Sequence, residues 1–365
     1  MEIVFNPSRL RFARERRGMT KVELAGAVGI SPRLLSMYEN DHVESPPQQT
    51  LEMIVDVLGF PLEFLKGDNI EPLDKDNVSF RSHSKMTFKQ AKSAIGASVI
   101  ALYLSRWIGE RFDLPEANIP HLRDQDPESA AACIRQYWGL GEKPIKNITH
   151  LLESKGVKVF SLAENNKEVD AYSFWKGGTP FIFINTIKSS EHNRFDCGHE
   201  LAHLAIHAHA SPHGREAEQQ ADQFASAFLM PQNAIRSMAP SFANLGNLMK
   251  LKSYWGVSLS ALIRRLKDLG LVSEWHYRSL NIDLARRGYH INEPQSMPRE
   301  TSQVLSKVFD NLLREGITKH DIARDLKVLP GEIEGLVFRL ATISIDGKGA
   351  GQKSAKPKPN LKIVT

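Results

Sequence analysis

The stretch DCGHELAHLAIH, residues 196–207, constrains the fold more than any other part of the chain. We expect it to be helical, and residues four apart on a helix share one face, so His199 and His203 can direct ring nitrogens at one metal ion. Glu200, beside the first histidine, can accept a proton from a metal-bound water. Because this spacing is a recognised metalloprotease signature, it predicts one Zn²⁺ ion held by His199 and His203, with Glu200 as the catalytic residue.

The alternative interpretation is a surface helix whose two histidines are solvated. The rest of this helix is nearly apolar, however, so its polar residues are expected to be buried together. Buried polar groups need partners, and a metal ion supplies one. The apolar positions are Leu201, Ala202, Leu204, Ala205 and Ile206.

A catalytic zinc needs a third protein ligand and an open coordination position. The next predicted helix, REAEQQADQFASAFLMP, offers Glu216, Glu218 and Asp222. Spacing alone slightly favours Glu218 but leaves Asp222 open, and also Glu216 or a further histidine. His207 lies two helical turns from His199, which is too far to share its ion.

Residues 20–40, TKVELAGAVGISPRLLSMYEN, have the layout of a DNA-reading helix-turn-helix. Ser8 is expected to cap the preceding helix. Thr20 should cap the first helix of the motif in a capping box with Glu23, and Gly29 should form the turn. A capped serine and a proline then begin the second helix, whose N-terminal part enters the major groove in such motifs.

The residues expected to contact double-stranded DNA at an operator-like site are Thr20, Lys21, Pro32, Arg33, Ser36 and Asn40. Arg9, Arg16 and Arg17 are available for further phosphate contacts. Residues 1–66 nonetheless carry eight Lys and Arg against nine Asp and Glu, and a single arginine on the reading helix offers few bidentate base contacts. We therefore expect weak binding by one copy and a homodimer as the binding form. The alternative is a helical hairpin used only for packing.

Composition limits the classes of function. Hydrophobic residues are 41% and charged residues 24% of the 365, which is normal for a globular protein. The longest apolar run, residues 95–104, is about half of what a membrane span needs, and the first residues lack the apolar core of a signal peptide. Two cysteines make no disulfide framework. We expect a cytoplasmic protein without membrane contact. Its net charge of +5 matches the five lysines of residues 348–365, so the charge alone does not indicate nucleic-acid binding.

The segment MTKVELAGAVGISPRLLSMYEND resembles the helix-turn-helix of phage-repressor-like, Xre-type transcription regulators, in which the residue matched by Glu39 closes the motif. The blocks FIFIN, RFDCGHELAHLAIH and EQQADQFASAFLMP resemble the ImmA/IrrE family of metallopeptidases. In that family the glutamate matched by Glu218 is the third zinc ligand, which implies that Asp222 is not one. The likeness covers about residues 5–295, and DCGHE departs from the apolar or small residues that members more often carry before the position of His199.

The elements and the resemblance together predict a mainly α fold. It begins with an all-α, lambda-repressor-like helix-turn-helix domain, followed by an α+β zincin-like domain with a small sheet, whose strands lie near residues 157–160, 171–175 and 181–185. In the helical C-terminal region, ITKHDIARDLKVLPGEIEGLV is typical of two short helices joined by a turn. The predicted boundaries are 1–67 for the helix-turn-helix domain, 68–86 for a linker, 87–240 for the peptidase domain, 241–345 for the C-terminal region and 346–365 for a disordered basic tail.

Members of the ImmA/IrrE family cut repressor proteins that carry helix-turn-helix domains and so switch genes on. The resemblance therefore implies a DNA-binding regulator with zinc-dependent endopeptidase activity, which cleaves a repressor or another regulatory protein in a stress- or prophage-linked system. Two alternatives remain: a regulator that binds zinc without cutting, and an antitoxin whose peptidase fold is a protein-binding surface. A fourth zinc ligand from Cys197 or His192 would favour the first alternative, because structural zinc sites fill all four positions.

Overall fold

The computed structural model of the chain describes residues 5–40, 45–71, 73, 79–80, 87–123, 125–162, 171–207 and 214–341. The predicted basic tail, residues 346–365, and much of the predicted linker lie outside the described residues.

Short capped helices form the N-terminal part. They are α1 Pro7–Arg16, α2 Lys21–Val28, α3 Pro32–Glu39, α4 Gln48–Leu58 and α5 Leu62–Leu65. As predicted, Thr20 and Glu23 form a capping box at the start of α2, and Gly29 ends that helix in the left-handed conformation with φ of +75°. Apolar residues from these helices, among them Leu24 and Leu35, are fully buried between them.

The cap of α1 differs from the prediction. Asn6, and not Ser8, is the capping residue, and its side-chain oxygen accepts a hydrogen bond of 2.9 Å from the backbone N–H of Ser8. Pro7 explains the difference, since a proline favours the first helical position and moves the cap to the residue before it.

A small sheet lies at the centre of the middle region. Among the described residues it has four strands, β1 Ser79–Phe80, β2 Lys158–Ser161, β3 Ala171–Lys176 and β4 Thr179–Ile184, in the order β1-β3-β4-β2. β3 and β4 form an antiparallel hairpin through Gly177 and Gly178, both with positive φ, while β2 runs parallel to β4. The three longer strands are those that the sequence predicted. The two-residue strand β1 pairs with β3 and lies within the segment predicted as a linker.

Helices cover the two faces of this sheet. The middle-region helices are α6 Phe88–Gly109, α7 Pro127–Tyr137, α8 Ile148–Ser154, α9 Ser190–Ala205 and α10 Arg215–Leu229. Tyr172 in β3 points toward α6, where its hydroxyl donates to the carbonyl of Ala94 at 2.9 Å. The next residue, Ser173, points to the opposite face, where its hydroxyl bonds Glu200 of α9. The alternation of side chains along one strand thus places α9 directly on the sheet.

The C-terminal region is helical, as predicted. After α11 Gln232–Met238, which lies within the predicted peptidase domain, its helices are α12 Leu245–Trp255, α13 Leu259–Asp268, α14 Glu274–Arg286, α15 Gln303–Arg314, α16 Lys319–Leu326 and α17 Pro330–Val337. The last of them, α17, packs against both α6 and β2.

None of the helices in the described part of the chain has the length and apolar character that crossing a membrane requires. The predicted mainly helical fold class is confirmed.

A buried ion pair joins the first and third helices of the N-terminal domain. The Arg14 guanidinium donates to both carboxylate oxygens of Glu39, from Nε at 2.6 Å and from Nη2 at 2.9 Å. The side chain of Glu39 is 0% exposed and that of Arg14 8%. Removing one partner from such a pair leaves an uncompensated charge in the core, which costs far more than the intact pair contributes.

Glu39→Gln should therefore destabilise the N-terminal domain by about 3 kcal/mol or more. Hydrogen exchange at the amides of α1–α3 is the suitable measurement, because a chain with several domains need not unfold in one step. Glu63→Gln, at an exposed acid on α5, is the matched control and should leave exchange unchanged. Equal protection in the two variants would contradict a stabilising role for the buried pair.

Candidate metal centre

Helix α9 carries the HELAH residues into the interior. Ser189 caps it by accepting a hydrogen bond of 3.2 Å from the backbone N–H of His192. Its second half is almost wholly buried, and both His199 and Glu200 are 0% exposed. The predicted buried helix is thus what the structure shows, and the surface helix with solvated histidines is wrong.

Three potential ligand atoms converge at the start of α10. The Nε2 atoms of His199 and His203 lie 3.1 Å apart. The carboxylate of Glu218 lies 3.4 Å from the first of these nitrogens and 3.5 Å from the second. In a tetrahedral zinc site with bonds of about 2.0–2.1 Å, neighbouring ligand atoms are about 3.3 Å apart. The two distances from Glu218 are to different carboxylate oxygens, Oε2 and Oε1, and the three side chains surround one point closely enough to hold a single metal ion.

Asp222 orients the first histidine. Its Oδ1 lies 2.8 Å from Nδ1 of His199. Because a carboxylate only accepts hydrogen bonds, this contact places the ring proton on Nδ1 and leaves Nε2 with the lone pair that a metal needs. Spacing had left Asp222 open as a ligand, and the structure places it instead in contact with the candidate ligand His199.

A second chain of hydrogen bonds orients His203. Its Nδ1 lies 3.0 Å from Nδ1 of His207, whose Nε2 lies 2.9 Å from the side-chain oxygen of Gln220. With Gln220 accepting from His207, the remaining nitrogen of His207 accepts from His203, and Nε2 of His203 keeps its lone pair. His207 is too far along the helix to share the ion of His199, as predicted, and its orienting contact is one that the sequence did not indicate.

The protonation states suit metal binding. Burial lowers the pKa of His203 to about 4, so its imidazole is neutral at pH 7. Burial alone would raise the pKa of Glu218. When the ring nitrogens of the two histidines that face this carboxylate carry a proton, those contacts outweigh burial and bring the pKa to about 2. A neutral imidazole and a carboxylate are the forms in which these side chains bind metals.

Glu200 is held from the sheet. The hydroxyl of Ser173, in β3, donates to Oε2 of Glu200 at 2.6 Å. Trp175, two residues along the same strand, donates from its indole nitrogen to the carbonyl of Leu204 at 3.1 Å. Both contacts fix α9 against the sheet, and the first sets the orientation of the candidate base. Nothing in the spacing of the HELAH motif could have identified Ser173.

A close approach of α9 and α10 sets the register of the site. A Cβ atom at Gly198 would lie 3.3 Å from both Cα and Cβ of Ala225, which is tighter than ordinary side-chain packing. A larger residue at Gly198 would thus force the helices apart. Since Glu218 lies on α10 and the histidines lie on α9, such a shift would separate the third candidate ligand from the other two.

The other candidate residues lie outside the cluster. Among the described residues, the grouping of metal-ligating side chains comprises His199, His203 and Glu218, without Cys197 or His192. Cys197 is buried, and burial raises the pKa of its thiol well above its usual value. Glu216 is exposed. No fourth protein ligand therefore joins the three within the part of the chain that the structure describes.

A cleft of about 690 Å³ adjoins the cluster. It shares Asp222 with the site and runs between α9, α10 and α13. Its walls are mixed in character, with Phe195 and Ile291 as apolar residues and Arg264 and Asp268 as an ion pair. Such a groove has room for several residues of a polypeptide.

The predicted DNA-contacting residues form one face of the N-terminal domain. Pro32, Arg33 and Asn40 are exposed. Ser36 accepts a hydrogen bond of 2.9 Å from Nζ of Lys21, so these two residues lie side by side on that face. Thr20 is exposed at the start of α2 and is engaged in its capping box.

The three arginines suggested for further phosphate contacts have partners inside the protein. Arg9 is 8% exposed, and its guanidinium lies over the ring of Phe64. Arg16 and Arg17 both bind the carboxylate of Glu332, on α17. The suggestion that they are available for DNA is therefore wrong for this conformation, because their partners are supplied by distant parts of the chain.

Comparisons with known protein families agree with this geometry. Residues 10–65 match the model of a helix-turn-helix family, and residues 152–267 match a peptidase family model described as the IrrE N-terminal-like domain. The second match contains α9, α10 and strands β2–β4. A search of the curated proteins found no match to the chain. The chain thus carries an N-terminal helix-turn-helix domain followed by a domain of the ImmA/IrrE family.

Proposed function

We propose that the chain is a cytoplasmic, DNA-binding regulator with zinc-dependent endopeptidase activity. The observation that carries this proposal is the convergence of His199, His203 and Glu218, with Glu200 on the same helix. Two imidazoles and one carboxylate, with no fourth ligand among the described residues, are the donor set of catalytic zinc sites. Magnesium and calcium prefer oxygen ligands, so the two nitrogens favour zinc.

The chain's own residues divide the chemistry between them. Zinc, when bound, would polarise the peptide carbonyl and lower the pKa of a bound water toward about 7. Glu200 would take the proton from that water and pass it to the leaving amine. Ser173 donates to Oε2 of this carboxylate and so orients it. Asp222 and His207 keep the proton of each ligand imidazole on its Nδ1 atom.

A polypeptide substrate suits the surroundings of this site. The cleft beside Asp222 combines apolar walls with the Arg264–Asp268 pair, which could bind an extended chain and select among its side chains. The N-terminal domain brings the peptidase to DNA. We therefore propose a regulatory protein as substrate, such as a helix-turn-helix repressor in a stress- or prophage-linked system, and a homodimer as the DNA-binding form.

One observation favours the alternative of a regulator or antitoxin that binds zinc without cutting. The two histidines and Glu200 are at most 6% exposed. The neighbouring cleft is lined by Asp222 and not by the three ligands. A substrate would have to enter beside Glu218, whose side chain is 32% exposed. The following prediction separates the two functions.

Glu200→Gln should retain zinc and lose cleavage by at least about 100-fold, because a general base contributes roughly 10²–10⁴ to such a rate. The measurement compares protein N-termini in source cells that make the wild type or the variant, before and after stress. A terminus seen only with the active chain identifies the substrate.

Glu216→Gln, at an exposed acid on α10, is the control and should cut normally. Persistent cutting by Glu200→Gln would refute the mechanism. Identical termini under every stress, with zinc bound, would support the non-cleaving regulator.

Zinc affinity should fall in a set order among three acids of α10. Glu218→Gln removes a ligand and should weaken binding most. Asp222→Asn disturbs only the orientation of His199 and should weaken it about 10–100-fold. Glu216→Gln should bind as the wild type does. Competition with a chromophoric chelator measures the zinc affinity of all three variants. If affinity fell in Glu216→Gln and not in Glu218→Gln, Glu216 and not Glu218 would be the third ligand.

Arg33→Ala should weaken binding to the preferred DNA sequence by roughly 5-fold or more, as one bidentate base contact contributes about 1–3 kcal/mol. The preferred sequence is first selected from random duplexes with the full chain, and affinity is then measured by fluorescence anisotropy at fixed salt. Arg278→Ala, at an exposed arginine on α14, is the control. An equal loss of DNA affinity in both variants would show that Arg33 contributes only its charge and does not recognise the base sequence.

A further inference from the structure

Helices α16 and α17 repeat the helix-turn-helix of the N-terminal domain in sequence. Residues 20–35 read TKVELAGAVGISPRLL, and residues 318–333 read TKHDIARDLKVLPGEI. The two segments align without a gap. Both begin with Thr-Lys, carry an acid three residues after the threonine, and place a proline at the first position of the second helix. Every helix of the two pairs is 8 residues long.

The local geometry repeats as well. Thr318 and Asp321 form a capping box, as Thr20 and Glu23 do. The turn that follows closes in the same register. In the N-terminal unit the N–H of residue 30 donates to the carbonyl of residue 25 at 3.0 Å, and in the C-terminal unit residue 328 donates to residue 323 at 2.9 Å.

The residue that ends the first helix is left-handed in both units. Gly29 has φ of +75° there, and Lys327 has φ of +56° at the matching position. A residue with a Cβ atom rarely adopts this conformation, which costs it roughly 1–2 kcal/mol. Its presence at the matching position shows that the same turn is formed without the glycine that favours it.

The helix in front of each motif completes the likeness. Gly18 follows α1 with φ of +62°, and Gly316 follows α15 with φ of +75° at the matching position. The next residue in each case, Met19 or Ile317, donates its N–H back to the preceding helix, at 3.1 and 2.8 Å. Three helices of the C-terminal region thus reproduce α1–α3 of the N-terminal domain.

The C-terminal unit lacks two of the side chains expected to face the bases, although Pro330 matches Pro32. Gly331 stands where the N-terminal unit has Arg33, and Glu334 stands where it has Ser36. A glycine has no side chain to reach a base edge, and a glutamate is repelled by the phosphates. The reading positions of this second unit are therefore unsuited to nucleic acid.

The second helix of this unit, α17, instead contacts the N-terminal domain. Oε2 of Glu332 accepts hydrogen bonds from Nε and Nη2 of Arg16, at 3.1 and 2.9 Å, and Oε1 accepts from Arg17. The Glu332 side chain is 5% exposed. Arg17 is fixed in turn within its own domain, since its Nε donates to the carbonyl of Leu58 at 2.6 Å.

Close contacts surround this junction. A Cβ atom at Gly96, on α6, would lie 2.7 Å from Cδ of Arg16 and 3.3 Å from its Cα, so α1 approaches α6 where no side chain intervenes. A Cβ atom at Gly59 would lie 3.4 Å from Leu329, at the start of α17. The N-terminal domain therefore meets α6 and α17 through α1, the end of α4 and Glu23 of α2, whose carboxylate binds Lys89. Arg33, by contrast, is exposed.

We propose that residues 303–341 are a second helix-turn-helix unit that does not read DNA, and that its partner is the chain's own N-terminal domain, bound through Glu332 and the pair Arg16 and Arg17. This inference does not depend on the peptidase activity.

Hydrogen exchange on the full-length chain tests the docking. Glu332→Gln removes the charge that the two arginines share, so the amides of α17 and of residues 13–19 should exchange at least about tenfold faster. Glu334→Gln is the matched control, because this acid lies on the same helix but pairs with Lys319 inside the C-terminal unit. It should leave α1 unchanged. Unchanged α1 amides in both variants would overturn the proposal.

A second variant breaks the same contact from the other side. Gly96→Leu inserts a side chain between α6 and Arg16 without altering any charge, and it should speed exchange in α1 and α17 while α9 stays protected. If α17 keeps its wild-type rates when α1 is displaced, α17 is held by α6 and β2 alone, and the proposed partnership fails.

Hydrogen exchange of the wild type with added sheared genomic DNA tests whether the second unit has lost the ability to bind DNA. We expect new protection at the N-terminal half of α3 and none in α17. Protection in α17 would overturn the assignment of the second unit as a non-reader. Protection in neither helix would also overturn it, because no contrast between a reading and a non-reading unit would then exist.

Discussion

Two imidazole nitrogens that face each other at 3.1 Å are the constraint on which the candidate metal centre depends. Each lone pair is turned inward because the opposite nitrogen of the same ring is engaged, by Asp222 in one case and by His207 in the other. Two inward-facing lone pairs attract a cation, and the carboxylate of Glu218 completes the set. Three residues of α10, at positions 218, 220 and 222, thus act together on two histidines of α9.

This arrangement depends on how closely the two helices approach. Gly198 allows the backbone of α9 to pack against Ala225 of α10. On the other side of α9, Ser173 and Trp175 of the sheet form hydrogen bonds with it. The site is therefore specified by packing as much as by its ligands. A helix with a perfect HExxH pattern but a larger residue at position 198 would hold its histidines and still lack the third donor at the right distance.

Local patterns were sufficient for much of this description. The HELAH spacing, the capping box at Thr20, the turn at Gly29 and the three longer strands follow from periodicity and from residue conformational preference. Spacing could not decide between Glu218 and Asp222, because both lie on one face of α10. Only the packing against α9 shows that Glu218 faces the Nε2 atoms of the two histidines, while Asp222 faces Nδ1 of His199. Likewise, the sequence suggests that Arg16 and Arg17 could contact DNA phosphates. In the fold they bind Glu332, which lies far from them in the sequence.

The left-handed conformation of Lys327 has a consequence for the stability of the C-terminal unit. The first unit forms its turn with a glycine, whereas the second forms the same turn against the preference of its own residue. A segment that resists its local geometry gains its stability from what it packs on, here α6, β2 and the pair of arginines. The C-terminal unit therefore depends for part of its stability on these neighbouring surfaces.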